Sequence, residues 1–332
     1  MKRISLAQGN GGRLMQSLLD EIVFPHIANE YLNTLTDAAR VPTSKRTAIT
    51  TDSFIVTPLR FPGGDIGKLA ACGTINDLSV SGARPEYITL SIIVEEGFPV
   101  EELENYILSF AKTCRENRVK VVCGDTKVMP SISNERPALI LNTTGIGEVL
   151  RDDLSLTSIR DGDKLLISGP IGEHAIAVLL AREDFGLSGS LVSDCDSIGS
   201  LAKTLLQLDG LRFMRDPTRG GLLTVCHEIL LGTKIGVSLH ESYIPVRETV
   251  KGACDLLGYD PLVLACEGRL LAVIAPEQSQ QALERLKALP QGSDAAIIGS
   301  MSKNSDQVLL HTAWGGERIL MPLEGDPLPR IC

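Results

Sequence analysis

Apolar and polar positions in the first half of the chain follow two alternating periods, one typical of strands and one typical of helices. Asp65 can cap a helix that runs to about Ser81, and apolar residues recur at helical spacing over 100–117. Short runs rich in β-branched and apolar residues predict strands at 46–54, 86–95, 119–123 and 137–149. This alternation predicts an α/β fold.

A charged stretch with few large apolar residues, 151–163, predicts a linker, after which the alternation begins again. We expect helices near 172–183, 196–208, 220–231, 246–257 and 277–289. We expect strands near 164–168, 235–240, 262–266, 269–275, 294–300 and 307–312. The pattern predicts two α/β domains, 1–150 and 151–325, and an extended tail, 326–332, whose prolines exclude a helix.

Composition and charge narrow the classes of function. A chain of 332 residues exceeds the usual size of a single hydrophobic core, in agreement with two domains. The net charge of −9 argues against a nucleic-acid surface. No apolar stretch is long enough for a signal peptide or a membrane span, and the eight cysteines form no C-x-x-C pair, so we expect a cytoplasmic protein.

Asp77 is the most informative polar residue. In the predicted helix it shares one face with Ile66, Ala70 and Gly73, because the spacing from Ile66 to Asp77 makes about three turns. A carboxylate on an apolar face needs a partner, such as a metal ion, an arginine or a backbone amide. A position near the helix end that reaches solvent explains the residue equally well.

Two further aspartates lie where predicted elements end. Asp52 closes the first strand, where a carboxylate can serve an active site or an ordinary turn. Asp216 stands before a proline, as an N-cap stands before the first helical residue. That interpretation leaves Arg219, Gly220 and Gly221 unexplained, and glycines there would let backbone amides approach a phosphate.

Two glycine-containing segments could bind a ligand, through backbone amides or through a charged side chain. The Gly-Asp-Thr-Lys segment at 124–127 follows a predicted strand, so it is either a plain turn or a ligand site with a mobile cation. The Gly-Asn-Gly-Gly segment at 9–12 could cradle phosphate, but it lacks the Lys-Ser/Thr of a P-loop, and a flexible terminus explains it as well.

Glu267 and Cys332 differ in what their surroundings suggest. Glu267 lies between two apolar runs, which predicts a hairpin turn. Cys332 is the last residue of the tail, which can span roughly 20 Å when extended. The tail could therefore carry a thiol from the surface into a cleft, or it could be a chain end without function.

Four motifs occur along the chain in a fixed order: Thr-Thr-Asp-Ser-Phe at 50–54, Gly-Thr-Ile-Asn-Asp-Leu-Ser at 73–79, Gly-Asp-Thr-Lys at 124–127 and Asp-Pro-Thr-Arg-Gly-Gly-Leu at 216–222. Their order resembles the superfamily of aminoimidazole ribonucleotide synthetase, selenophosphate synthetase and thiamine phosphate kinase. The ending Pro-Arg-Ile-Cys narrows the resemblance to the hydrogenase maturation family HypE, over nearly the whole chain.

This resemblance implies an N-terminal domain that binds ATP and whose sheet forms a barrel across a homodimer. It also implies that Mg²⁺ is held by Asp52, Asp77 and Asp216. Nucleotide contacts are implied for the same aspartates and for Gly124, Asp125 and Thr126 of this or the partner subunit. Gly11 and Gly12 would lie over the phosphates. Gln8 stands where the family often has a histidine, which argues against a role that needs an imidazole there but not against the backbone cradle.

The resemblance further implies the reaction. A carbamoyl group received from the maturation protein HypF would be carried on Cys332 and dehydrated to a thiocyanate, which supplies cyanide for the [NiFe]-hydrogenase iron centre through a HypC–HypD complex. Lys127 would stabilise the developing charge, and Glu267 would accept protons. The alternatives are another ATP-using synthetase or kinase of the superfamily acting on a small molecule, and a scaffold without catalysis. Selenophosphate synthetase is disfavoured because no cysteine precedes Cys72.

Overall fold

The computed structural model of the protein describes residues 3–5, 17–31, 41–43, 46–131, 137–182 and 191–323. The first half contains a four-stranded sheet made of β1 (Thr47–Phe54), β4 (Ala83–Glu95), β5 (Lys120–Met129) and β6 (Leu139–Val149). The order across the sheet is β1-β6-β4-β5. The β4–β5 pair is parallel and the other pairs are antiparallel. A separate hairpin consists of β2 (Arg60–Phe61) and β3 (Gly64–Asp65).

The helices of the first half are α1 (Phe24–Ile27, after a π-helical turn at Leu19–Val23), α2 (Ile66–Val80) and α3 (Val100–Glu116). The N-cap predicted for α2 is confirmed, because the Asp65 carboxylate accepts the Lys68 N–H at 2.9 Å. The two long helices pack on each other, and α2 lies against the four-stranded sheet. The outward positions of β1 remain exposed, so this sheet has one covered and one open face.

The second half contains a seven-stranded sheet with the order β13-β12-β9-β11-β7-β10-β8. Its strands are β7 (Lys164–Ile167), β8 (Leu211–Arg215), β9 (Gly236–His240), β10 (Leu271–Ile274), β11 (Ala296–Ser302), β12 (Val308–His311) and β13 (Glu317–Ile319). Its helices are α4 (Glu173–Arg182), α5 (Gly199–Leu205), α6 (Gly221–Thr233), α7 (Glu248–Leu257) and α8 (Pro276–Lys287). Short 3₁₀ turns occur at Leu156–Ser158, Glu241–Tyr243, Pro261–Val263 and Pro290–Gly292.

Helix α2 connects the two halves. It packs against its own sheet and also contacts α5 and β8 of the second half. Leu69 and Ile75 of α2 belong to the same buried cluster as Leu165 and Val273 of the seven-stranded sheet. Side chains near the end of α2 can therefore reach a space between the two halves. None of the helices in the described part of the chain combines the length and the apolar character needed to cross a membrane.

Several sequence predictions are wrong in their bounds. Strand β1 confirms the prediction of a strand at 46–54, but Asp52, which was expected to close it, lies inside it. Strand β5 continues to Met129, so residues 124–127 lie within a strand and not beyond one. Pairing with β4, which sets Leu90 opposite Gly124, overrides the turn preference of these residues. The strand expected at 262–266 is absent from that described segment, which begins with a 3₁₀ turn instead, and β8 and β13 were not predicted.

Candidate active site

A cleft of about 1040 Å³ opens between the two halves of the molecule. Its walls come from β1, the end of α2, β8 and the loop that leads into α6, and residues 263–267 close one side. All four carboxylates that the sequence singled out as site candidates outside the 124–127 segment line this cleft: Asp52, Asp77, Asp216 and Glu267. They lie far apart in the chain and come together only because α2 connects the two halves.

Asp52 and Asp77 form a close carboxylate pair. The Thr50 hydroxyl donates a hydrogen bond of 2.7 Å to Asp77 Oδ2 from the neighbouring strand β1. Burial, and then the Asp77 carboxylate with which it hydrogen-bonds, raise the pKa of Asp52 to about 6, while the Arg219 guanidinium opposes this rise. The Asp77 carboxylate on the apolar helix thus lies beside a second carboxylate, that of Asp52, whose negative charge the Arg219 guanidinium favours.

Asp216 is more deeply buried, with 6% of its surface exposed. Burial raises its pKa to about 7, and Asp77 and Asp52 add to the rise, while its backbone hydrogen bond and Arg215 oppose it. The prediction that Asp216 caps a helix is wrong, because α6 begins at Gly221 with Gly220 as its N-cap. The segment after Asp216 instead forms tight turns. The first of them is closed by the Asp216 carbonyl, which accepts the Thr218 N–H at 3.0 Å.

The three aspartates present hard oxygen donors and concentrated negative charge, which suits Mg²⁺. Among the described residues, no three His, Cys, Asp or Glu side chains are grouped closely enough to hold an ion by themselves. Magnesium usually takes one or two carboxylates, and phosphate oxygens and water complete its octahedron. The donor set therefore fits a magnesium ion that arrives with a nucleotide better than a metal held by protein alone.

The glycines that precede α6 are explained by the local backbone and packing. Gly220 and Gly221 have φ values of 71° and 59°, in the left-handed region. A Cβ on Gly221 would lie 2.6 Å from the Leu264 carbonyl oxygen and 2.7 Å from that of Leu262. These constraints require glycine without any phosphate. Arg219, by contrast, is exposed and lines the cleft.

Glu267 is not in the exposed hairpin turn that its sequence context predicted. Only 5% of its surface is exposed, and it lines the cleft. Its backbone N–H donates to Asp194 Oδ1 at 3.2 Å, and its carbonyl accepts from Asn76 Nδ2 at 3.2 Å. The prediction failed because the apolar run before it is folded into a turn that packs against α6.

The structure does not bring every predicted residue to the cleft. Gly124, Asp125, Thr126 and Lys127 lie on β5 at the edge of the four-stranded sheet and are not among the residues that line the cleft. The Lys127 and Asp125 side chains are 69% and 58% exposed, with 3.5 Å between Nζ and Oδ2. Gly11, Gly12 and Cys332 lie outside the described residues. Leu323, however, lines the cleft at the last described position before the tail.

Sequence reasoning missed several residues that shape the site: Thr50, Asn76, Asp194 and Arg269. Asn76 carried a usable signal, since it is a second polar residue beside Asp77 in a helix that is largely apolar. The other three have ordinary surroundings in the sequence, and only the long-range contacts reveal them.

Comparison with known proteins finds relatives that match nearly the whole length of this chain. The family model of the AIR synthase related protein N-terminal domain matches residues 35–149, and that of the C-terminal domain matches residues 160–311. Carbamoyl dehydratase HypE of Azotobacter vinelandii is 41% identical over 333 aligned positions, which cover 99% of this chain and 97% of that protein.

Two solved structures are also similar. The hydrogenase maturation protein HypE in complex with ATP superposes with a TM-score of 0.94 at 41% identity, covering 99% of each chain. A chain of a HypE–HypF complex superposes with a TM-score of 0.80 at 40% identity, covering 93% of this chain and 99% of that one. The structural similarity therefore extends over nearly the whole chain.

Proposed function

The chain belongs to the carbamoyl dehydratase HypE family of hydrogenase maturation proteins, and we propose that it dehydrates a carbamoyl group carried on its own terminal thiol, using ATP. The family resemblance predicted from the motifs is thereby confirmed, together with the AIR synthase type of α/β fold. The observation that carries the proposal is the convergence of Asp52, Asp77, Asp216, Glu267 and Leu323 on one cleft.

ATP is proposed to bind in this cleft with Mg²⁺, since a relative at 41% identity has been crystallised with ATP. Asp52, Asp77 and Asp216 would hold the metal, and a bound cation would oppose the rise in the pKa of Asp52 and of Asp216 that burial and neighbouring carboxylates cause. When bound, Mg²⁺ would neutralise part of the negative charge on the phosphates. Arg219 adds a further positive group at the same wall.

The reaction balances with the groups available. The carbamoyl oxygen of the Cys332 adduct attacks the γ-phosphorus of ATP, the bond to the β-phosphate oxygen breaks, and ADP leaves. An amide N–H proton is lost, which gives an imidate phosphate. Loss of the second N–H proton and cleavage of the carbon–oxygen bond then release phosphate and leave a thiocyanate on the sulfur. The net change is one water removed while ATP becomes ADP and phosphate.

Glu267 is the proposed proton acceptor. It lines the cleft, and its backbone accepts a hydrogen bond from Asn76 and donates one to Asp194. Burial excludes bulk water, so a carboxylate there can take a proton from the substrate nitrogen without competition from solvent. The three aspartates, in contrast, are assigned to the metal.

Lys127 and the nucleotide contacts of Gly124, Asp125 and Thr126 are proposed to act in the cleft of a second subunit. Within one chain these residues lie on an edge strand away from the cleft. The open face of the same sheet presents apolar side chains, among them Ile49 with 69% of its surface exposed. Pairing of two such sheets in a homodimer would cover this face and bring the charged edge to another cleft.

The tail is proposed to deliver Cys332 into the cleft from a fixed exit point. The Leu320 N–H donates to the Val308 carbonyl at 2.8 Å, and His227 Nε2 lies 3.1 Å from the Leu320 carbonyl oxygen. Beyond Leu323, the nine residues 324–332 can span about 30 Å when extended. Because Leu323 itself lines the cleft, a tail of that length would let tethering replace diffusive binding of the carbamoyl substrate.

Other parts of the assignment rest on the family. Gly11 and Gly12 would cover the phosphates, and the domain bounds would be 1–150, 151–325 and a tail at 326–332, in agreement with the matched ranges 35–149 and 160–311. HypF would donate the carbamoyl group, as a HypE–HypF complex suggests. A HypC–HypD complex would accept the cyanide, and the cytoplasm would be the compartment.

Intact-protein mass spectrometry tests the proposal. With a carbamoyl-donating partner, the wild type should gain one carbamoyl group on its C-terminal peptide and lose the mass of one water after Mg-ATP is added. Cys332→Ala should show neither species. Cys254→Ala, which removes a buried thiol of α7, is the matched control and should show both.

Two outcomes would contradict the proposal. An adduct on an internal cysteine, or a nitrile formed by the Cys332 variant, would favour a superfamily enzyme that acts on a free small molecule. Complete absence of ATP turnover in the folded wild type with all partners present would favour a scaffold.

A further inference from the structure

The peptide that carries Glu267 separates two cavities. Glu267 lines the large cleft, while Gly268 and Arg269 line a smaller polar cavity of about 280 Å³. Asp194 lines the smaller cavity as well. The proposed proton acceptor therefore lies on a segment with a cavity on each side. Its carboxylate can keep one position only if other residues hold the backbone of this segment in place.

Asp194 supports this segment with both of its carboxylate oxygens. Oδ1 accepts the Glu267 N–H at 3.2 Å, and Oδ2 accepts the Gly268 N–H at 3.3 Å. The side chain is completely buried, and its charge is met by Arg269, whose Nε lies 3.5 Å from Oδ2. Arg269 also pairs with Glu173 at 2.6 Å. A buried carboxylate with two backbone donors and an arginine is well satisfied and fixed in place.

Close packing fixes the same segment independently of the hydrogen bonds. A Cβ added to Gly268 would overlap the Asp194 carbonyl oxygen and lie 3.1 Å from the Asp196 nitrogen. The chain at Gly268 thus runs directly against the 194–196 segment, with no space for a side chain. Glycine at this position allows the approach that the two hydrogen bonds require.

Asn76 supports the segment from the opposite side. Its amide Nδ2 donates to the Glu267 carbonyl at 3.2 Å and to the Asp196 carbonyl at 3.0 Å, and its Oδ1 accepts the Ile198 N–H at 2.9 Å. Only 1% of its surface is exposed. Because Asn76 precedes Asp77 on α2, it links the helix that carries a proposed metal ligand to the segment that carries the proposed base.

From this geometry we infer that Asn76 and Asp194 are positioning residues that hold the Glu267 carboxylate at a fixed place relative to the Asp77 side of the cleft. The inference rests on the proposed role of Glu267 as proton acceptor. Neither residue needs to contact the substrate. Their effect is on the rate of proton removal, since a small displacement of a base lowers the rate much more than it lowers binding of ATP.

The experiment measures single-turnover dehydration of the carbamoylated protein by mass spectrometry, and the Kd for ATP by calorimetry. Asp194→Asn keeps the size of the side chain but replaces one acceptor by a donor, so we expect dehydration to slow by roughly 10- to 100-fold and the Kd to change by less than about 3-fold. Asn76→Leu removes the hydrogen bond to the Glu267 carbonyl without adding charge. It should likewise slow dehydration and leave the Kd for ATP nearly unchanged.

A double-mutant comparison separates positioning from general stability. In a Glu267→Gln background, Asp194→Asn or Asn76→Leu should slow dehydration by less than about 2-fold further, because the group that they position has been removed. Asp163→Asn is the matched control. Asp163 is also buried, accepts the Arg160 N–H at 2.7 Å and lies 3.8 Å from Arg212. This control should leave the rate unchanged.

The outcomes are distinguishable. If Glu267→Gln dehydrates at the wild-type rate, the proposed base is wrong and the inference falls with it. A second result is that Glu267→Gln dehydrates slowly while Asp194→Asn slows the reaction equally in the wild type and in the Glu267→Gln variant. In that case Glu267 remains the proposed base, and only the positioning role of Asp194 is overturned. Should Asp194→Asn fail to fold, Asn76→Leu decides the question by the same criteria.

Discussion

The cleft carboxylates Asp52, Asp77 and Asp216 and the edge segment 124–127 came from motifs of similar strength, yet they occupy opposite environments. Asp216 is 6% exposed and has its pKa raised to about 7, whereas the Lys127 side chain is 69% exposed on an edge strand. Residues of the same chain already bury Asp216 in the first group. The second group has solvent where a binding site would need protein, so its proposed role depends on another subunit.

The largest expected effect concerns the cleft. Asp77→Asn keeps the shape of the side chain but removes the charge proposed to hold magnesium, so ATP-dependent phosphate release should fall by roughly 100- to 1000-fold. Circular dichroism should remain that of the wild type. Asp255→Asn on α7, an exposed position, is the control. Undiminished turnover in the folded Asp77 variant would remove this residue from the metal site.

Mixing of variants tests the edge segment. If Lys127 acts in the cleft of the other subunit, Lys127→Ala and Asp77→Asn dimers should each be nearly inactive, and subunit exchange between them should restore about a quarter of the wild-type rate. Half of the exchanged dimers contain both variants, and each of these has one intact cleft.

The matched mixture is Asp77→Asn with Asp216→Ala. Both changes lie in the same cleft, so no exchanged dimer has an intact one, and activity should stay low. No recovery in the Lys127 mixture despite subunit exchange would place Lys127 in the cleft of its own chain. Recovery in the matched mixture would instead show that Asp77 and Asp216 do not serve the same cleft.

The pH dependence of stability reports the burial of Asp216. Its pKa is raised above the unfolded value near 4, so the folded protein binds a proton more tightly than the unfolded chain does. The free energy of unfolding should therefore fall as pH rises from about 4 through about 7, and Asp216 should contribute on the order of 4 kcal/mol to this fall. Urea unfolding without ligand should show the falling slope in the wild type, and Asp216→Asn should make it shallower, while Asp52, whose pKa is raised to about 6, continues to contribute. An equal slope in that variant would contradict the assignment.

The smallest effect is expected at Thr50. Thr50→Val removes the hydrogen bond to Asp77 Oδ2, and the loss of about 1 kcal/mol should reduce phosphate release by a few-fold. Thr204→Val, which removes a hydroxyl that donates to the Ser200 carbonyl within α5, is the control. A reduction as large as that of Asp77→Asn would show that the carboxylate needs this bond to stay in the site.

The sequence predicted elements well where local signals agreed with packing. The cap at Asp65 and the apolar period of α3 gave helices that end within a residue or two of the predicted bounds. Prediction from the sequence failed where pairing between distant segments overrode the local preference. Residues 124–127 have the composition of a turn, yet they form the middle of β5, which pairs with β4.

The sequence by itself determined the residue types of the site and the order of its motifs, because carboxylates in apolar surroundings are visible from period and composition. Only the tertiary structure decided that Asp52, Asp77, Asp216 and Glu267 share one cleft, and that Asn76 and Asp194 hold the chain at Glu267. The physical reason is distance along the chain. Contacts such as that of Asn76 with Glu267 join residues far apart in sequence, and no local pattern encodes which helix packs between which sheets.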